Sequence, residues 1–184
     1  IKILCTLIVL TVIATFVSFN ESYKNRYFDQ IKILFSKNGY SNYIKKAKDG
    51  AHRNAAIKIF KENLYFGVGI KNFRHEVWDK KYENKEYDNT AGRHATHPHQ
   101  IHYELLSETG IFGYLCFLIF IILSLFYGIR SYLKNKNIFL LTSIIFIITS
   151  FLPLLPSGSF FTTFTSGIFW LNFAIMTGFT NSKS

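Results

Sequence analysis

The chain has 184 residues, 49% of them hydrophobic and 18% aromatic, and a formal net charge of +10. Its apolar residues are gathered into runs long enough to cross a bilayer, which excludes an ordinary soluble domain, and the runs lack the alternation of barrel strands, which excludes a transmembrane barrel. The expected class is an all-α integral membrane protein with four transmembrane helices and one large, partly helical periplasmic loop.

The first run, Ile3 to Phe19, carries no charge. At about 1.5 Å per residue it reaches roughly 26 Å, enough for the hydrocarbon core. The chain opens on Ile1 and no small-x-small site follows this run, so it is expected to be the later part of a longer protein rather than one trimmed of a signal peptide. Residues 1–19 form the first transmembrane segment, 20–108 the loop, and 109–184 the remaining three spans with short connections. Cys5 and Cys116 both fall in apolar runs, where they act as small hydrophobes rather than as a disulfide or metal pair.

Within the loop, Phe28, Ile31, Leu34 and Phe35 recur at helical spacing among Lys24, Arg26, Lys32 and Lys37. This amphipathic stretch either lies along the interface or packs on the bundle, and Asn38-Gly39 ends it. A basic run, Lys45, Lys46 and Lys48, precedes a helix expected over Ala51 to Lys61, with Ala55, Ala56, Ile59 and Phe60 on its apolar side and Arg53 in its first turn. Leu64 to Ile70 reads as a turn or short extended piece, followed by a small helix near Asn72 to Lys80. From Lys80 to Arg93 the composition is polar without apolar periodicity, as in a mobile excursion. Pro98 suits the first position of a helix that runs to about Glu108 and stops at Gly110.

The later spans are expected at Ile111 to Ile129, Ile138 to Leu155 and about Phe160 to Phe179, with Pro153 and Pro156 marking the outer end of the third span. The tight turn from Arg130 to Lys136 reads as cytoplasmic by the positive-inside rule, which puts both termini inside and the long loop outside. All eleven acidic residues, Glu21 through Glu108, and all six histidines lie in that loop. The chemistry is therefore sought there. The basic excess points to lipid phosphates or pyrophosphates as anionic partners, and no nucleic-acid partner is expected outside the cytoplasm.

With Pro98 opening the helix, His99 falls at its second position, where exposed N–H groups and the positive dipole end keep an imidazole neutral. A neutral ring beside a membrane surface can accept a proton from a hydroxyl near neutral pH. His94, His97, His99 and His102, with His75 or Glu104, also leave open a zinc-dependent membrane hydrolase, although no His-Glu-x-x-His pair is present. A non-catalytic membrane protein whose loop binds a partner is a third reading. Gly67-Val68-Gly69 is not a nucleotide loop, because Asn72 stands where a third glycine belongs.

His99-Gln100, nine residues, then Gly110-x-x-Gly113 resembles the signature of the O-antigen ligase family. Arg53 to Ile57 is similar to the arginine motif of that family, with Ile57 where leucine is usual, and Phe66 to Phe73 is similar to its intervening glycine-bearing turn. The resemblance covers nearly the whole chain. It implies glycan transfer from an undecaprenyl-pyrophosphate carrier to an acceptor hydroxyl, on lipid A core or another glycan, at the periplasmic face of the bacterial inner membrane. No metal, nucleotide or other cofactor is expected. By the same resemblance His99 acts as base and Arg53 holds the pyrophosphate, with Arg74 and Arg93 as further contacts and Gln100, Gly110 and Gly113 supporting the motif. Ligases, O-antigen polymerases and protein oligosaccharyltransferases share this pattern and differ in acceptor.

Overall fold

The structure is a computed structural model describing residues 2–19, 21–23, 30–46, 49–84, 86, 92–153 and 155–181. Among these residues there are helices and no strands. The elements in chain order are α1 (Lys2–Phe19), α2 (Glu21–Tyr23), α3 (Gln30–Leu34), α4 (Gly39–Lys46), α5 (Gly50–Glu62), α6 (Phe73–Glu76), a 3-10 turn (Lys80–Tyr82), α7 (Ile101–Asn135), α8 (Ile138–Ser150) and α9 (Thr163–Asn181). Lys24, Arg26, Phe28 and Lys48, and the side chains of Cys5, Ile31 and Lys46, lie outside the described residues.

Among the described residues one helix, α7, is long and apolar enough to cross a membrane: 35 residues with a mean hydropathy of 2.4 over its best window. The other three apolar runs also fold as helices, but α8 has only 13 residues and ends at Ser150, short of the Leu155 that hydropathy alone suggested. Pro153 and Pro156 follow at once, and proline cannot continue a helix. The turn expected from Arg130 to Lys136 is confined to Lys136 and Asn137, because α7 continues as helix through Asn135. Lys136 takes a left-handed φ of 53° to end α7, and the Asn137 side chain accepts from the Phe139 and Leu140 amides to start α8. Gly128 lets α9 come close, since a Cβ there would stand 3.1 Å from Met176 Sδ.

Two cores result. One joins α7, α8 and α9 through Ile121, Leu140, Ile144, Ile147, Phe169 and Met176. The other lies within the loop, where Ala55, Ala56 and Ile59 of α5 meet Phe73, Val77 and Tyr82. The apolar face expected on α5 is thus buried, with Phe60 at its margin. Leu34 packs near Tyr43 and Ile57, so this part of the amphipathic stretch joins the loop, while Phe35 stays exposed.

In the described part of the polar excursion Lys80, Lys81, Glu83 and Glu86 are exposed, while Tyr82 and Arg93 are held. Tyr82 is buried and donates to Glu62, and Arg93 donates from Nε to the Val77 carbonyl at 2.9 Å and from Nη2 to that of Trp78 at 3.2 Å. The small helix expected near Asn72 to Lys80 is divided into α6 and the 3-10 turn.

Candidate active site

The site rests on a seam between two glycine-bearing segments. Gly110 has φ 66° and ψ −171°, which breaks α7 into an upper part and a long lower rod. A break in a helix frees carbonyls before it and amides after it, and these need partners. Loop 64–69 supplies them: the Val68 and Gly69 amides donate to the Ser107 and Glu108 carbonyls at 3.0 and 2.9 Å, while the Ile111 and Phe112 amides donate to those of Leu64 and Tyr65 at 2.8 and 3.3 Å. The approach is so close that a Cβ on Gly110 would lie 2.4 Å from the Tyr65 carbonyl carbon, and one on Gly67 would lie 2.4 Å from that of Glu108. Buried Glu108 tightens the seam by accepting from the Lys71 amide at 2.6 Å and the Phe73 amide at 3.2 Å. At its exposed corner the ring of Phe112 stacks on Tyr65 at 5.8 Å and tilts against Phe66 at 5.7 Å.

Upper α7 begins at Ile101, not at Pro98. Gln100, 2% exposed, is its cap and accepts with Oε1 from the His102 and Tyr103 amides at 2.8 and 3.2 Å. A side-chain acceptor for two orphan amides outweighs the ability of proline to fill a first helical position. His99 consequently sits just before the cap rather than inside the helix, and its backbone is left-handed at φ 55°. Such a conformation in a residue with a Cβ is strained, and strain of this kind concentrates at functional sites. The His99 carbonyl is held by the Ser157 amide at 3.0 Å, so the connection between α8 and α9 docks on the same strand of backbone. Glu104 adds to that docking by accepting from Ser159 Oγ and from the Phe160 amide.

The His99 ring lies between two other imidazoles, 4.1 Å from that of His97 and 5.3 Å from that of His52. His52 precedes Arg53 in the first turn of α5, so the two predicted motifs meet through this contact. Burial, then the charge of His99, lowers the pKa of His52 below its ordinary value. The same two causes bring His97 down to about 4.

Arg53 is 1% exposed and donates from Nη1 to Tyr43 Oη at 3.2 Å, with its guanidinium 5.6 Å from the Tyr43 ring centroid. Its Nε is buried with no partner, as is the Nε of Arg74. Buried donors without acceptors are costly and call for an explanation such as a ligand oxygen. Arg74 also interacts electrostatically with Glu104 and Glu108. Arg93 differs, because two of its donors are committed to carbonyls.

The six histidines do not converge on one metal position. His94 stacks on Trp78 at 4.0 Å. His102 Nε2 is 2.8 Å from the Phe151 carbonyl, which can only accept, so Nε2 carries a proton; Nδ1 meets Tyr114 Oη at 3.0 Å. Among the described residues, the groups spaced for an ion are Asp49, His52 and His99. Asp49 and His52 were not singled out from the sequence, although both sit within four residues of Arg53 on the same helix start.

A family model described as O-antigen ligase matches residues 1–118. The matched part contains every candidate residue from Arg53 through Gly113. No curated protein and no solved structure matches the chain.

Proposed function

Because the chain belongs to the O-antigen ligase family, whose members are membrane glycosyltransferase-like ligases and polymerases, we propose that it transfers a glycan from an undecaprenyl-pyrophosphate carrier to an acceptor hydroxyl. The acceptor is lipid A core or a growing polysaccharide, and the reaction needs neither metal nor ATP. The observation that carries this reading is the contact of His99 with His52, which brings the histidine motif against the helix turn bearing Arg53 and its unpartnered Nε.

In this reaction His99 takes the proton of the acceptor hydroxyl as its oxygen attacks the anomeric carbon. The bond from that carbon to the pyrophosphate oxygen breaks, and the electron pair leaves with the pyrophosphate. Arg53 binds the departing oxygens, since a guanidinium offers directed donors as well as charge. Arg74 adds a second donor at the edge of the site. Arg93 contributes by fixing the end of α6 and has its remaining donor for the same anion. Gln100 sets the left-handed turn that presents His99, and Gly110 and Gly113 let α7 bend beneath it.

The membrane topology that goes with this chemistry has four passes: α1, the lower rod of α7, α8 and α9. Both termini are cytoplasmic and residues 20–108 are periplasmic, at the face of the bacterial inner membrane where lipid-linked glycans are consumed. A protein O-oligosaccharyltransferase would use the same groups with a serine or threonine acceptor. The test is an in vitro assay of the complete protein with lipid-linked donor and each candidate acceptor. Product on lipid A core supports the ligase, chain elongation alone supports a polymerase, and absence of transfer to every acceptor by active-folded protein overturns the reading.

A further inference from the structure

Asp49, His52 and His99 offer three ligand atoms that all lie within 4.8 Å of one another. They come from two separate elements, the start of α5 and the turn before α7. None of the three is committed elsewhere in a way that blocks a ligand. Asp49 occupies the N-cap position of α5 but its side chain makes no capping hydrogen bond. Its Oδ1 stands 3.9 Å from His52 Nδ1, too far for a hydrogen bond. His52 Nδ1 is buried with no partner, in a side chain only 7% exposed. The His99 ring contacts its neighbours face to tilted face, not through a hydrogen bond to His52.

A pair of imidazoles with one carboxylate is a donor set suited to zinc and similar borderline divalent cations. Tetrahedral bonds of about 2.1 Å put ligand atoms about 3.4 Å apart. Closing the present spacing of up to 4.8 Å to that value takes a rotamer adjustment of the part-buried Asp49 and His99 side chains towards the buried His52. Three protein donors leave the fourth position of a tetrahedral ion to water. Arg53 follows His52, but its guanidinium is directed to Tyr43 rather than to Asp49.

We propose that Asp49, His52 and His99 form a site for one Zn2+ ion, and that the ion inhibits the protein by occupying the imidazole nitrogen of His99 that serves as base. The second half rests on the transferase reading; the first does not. A coordinated nitrogen has no lone pair to offer a hydroxyl, so metal and proton transfer exclude each other. The ion is thus a competitor of the reaction, not a cofactor for it.

The experiment is a titration of the full chain in detergent with zinc chloride at pH 7.5, after stripping with EDTA, read by competition with a chromophoric chelator. One ion per chain is expected, with binding weakened at least tenfold by Asp49→Asn, His52→Gln or His99→Gln and unchanged by His94→Gln, whose ring stacks on Trp78. Cobalt(II) in the same site should give the visible bands of a tetrahedral nitrogen and oxygen environment, a signature that a misfolded variant would lose for a different reason, visible by circular dichroism. No stoichiometric binding, or binding indifferent to Asp49→Asn and His52→Gln, overturns the site. These readouts need no glycan donor and are independent of whether transfer occurs. In the transfer assay, zinc should suppress product and EDTA restore it; full activity with the site saturated overturns the inhibitory role.

Discussion

The ring of His99 lies 5.3 Å from that of His52, and this one contact joins the turn before α7 to the first turn of α5. It brings the histidine motif against the helix turn that bears Arg53. Replacing His99 by alanine in the complete protein is expected to reduce transfer by at least about 100-fold, the lower range for loss of a general base. Insertion and helicity should be unchanged. A product rate within tenfold of the parent, measured with lipid-linked donor, would remove His99 from the role of base.

Arg53 is held by Tyr43 and keeps one buried donor free. Arg53→Lys retains the charge without the fork, so an intermediate rate and a raised KM for the donor are expected, between the parent and Arg53→Ala. Tyr43→Phe removes the acceptor of the buried Arg53 Nη1 and should cost roughly 1–3 kcal/mol of stability. Equal rates for the lysine and alanine variants would show that charge at this position does not act on the donor.

Gly110 and Gly92 share a φ of 66° but differ in surroundings. Nothing lies near a Cβ on Gly92, whereas one on Gly110 meets the Tyr65 carbonyl carbon at 2.4 Å. Gly92→Ala should cost only the left-handed penalty, about 1–2 kcal/mol. Gly110→Ala adds a backbone collision and the loss of seam hydrogen bonds, for roughly 3 kcal/mol or more. Thermal unfolding of the two variants in detergent checks the difference, and equal midpoints would mean that the seam is dispensable.

Glu108 accepts from two amides with its two oxygens. Glutamine keeps one oxygen and turns a donor toward the other amide, so Glu108→Gln should lower stability by about 1–3 kcal/mol. Hydrogen exchange at Lys71 and Phe73 should speed up in that variant. Unchanged protection of both amides would rule out Glu108 as their acceptor.

His97 titrates at about 4 in the fold, against an ordinary 6.5, chiefly because of burial. The unfolded chain therefore binds the proton first as pH falls, and protonation favours unfolding. This contribution to stability is complete above about pH 6.5 and is lost on going down towards pH 4. His52, shifted in the same direction, adds to the effect. The unfolding midpoint, followed from pH 7.5 to 4.5 with EDTA present, should decline in the parent and less steeply in His97→Gln. Parallel profiles would show that His97 is not the group responsible.

Much of this arrangement is legible before any coordinate is known, because it depends on local signals. The helix carrying Arg53 follows from the spacing of Ala55, Ala56 and Ile59, and the stop at Gly110 follows from the freedom of glycine. The start of upper α7 is not legible in the same way. Pro98 and Gln100 both stand at the helix entrance, and the choice is made by the buried Gln100 side chain, which folds back onto the His102 and Tyr103 amides although glutamine is not among the preferred capping residues. Asp49 and His52 escape notice for a similar reason: neither belongs to a spaced motif, and their partner is almost fifty residues away in sequence. The third apolar run misleads on length because hydropathy continues past Ser150 while the backbone turns back to meet His99 through Ser157.

The exposed corner formed by Tyr65, Phe66 and Phe112 stands where the α7 rod leaves the seam. A tyrosine, apolar in its ring and polar at its hydroxyl, settles at the level of lipid headgroups, and Tyr65 holds Phe112, and through it Phe66, beside it. On the proposed topology the corner acts as a depth gauge, setting the height of the reacting groups above the acyl chains. In the proposed reaction, a carrier anchored in that leaflet would meet the base at a fixed altitude, so that delivery of the sugar would depend on lateral diffusion rather than on a search perpendicular to the membrane.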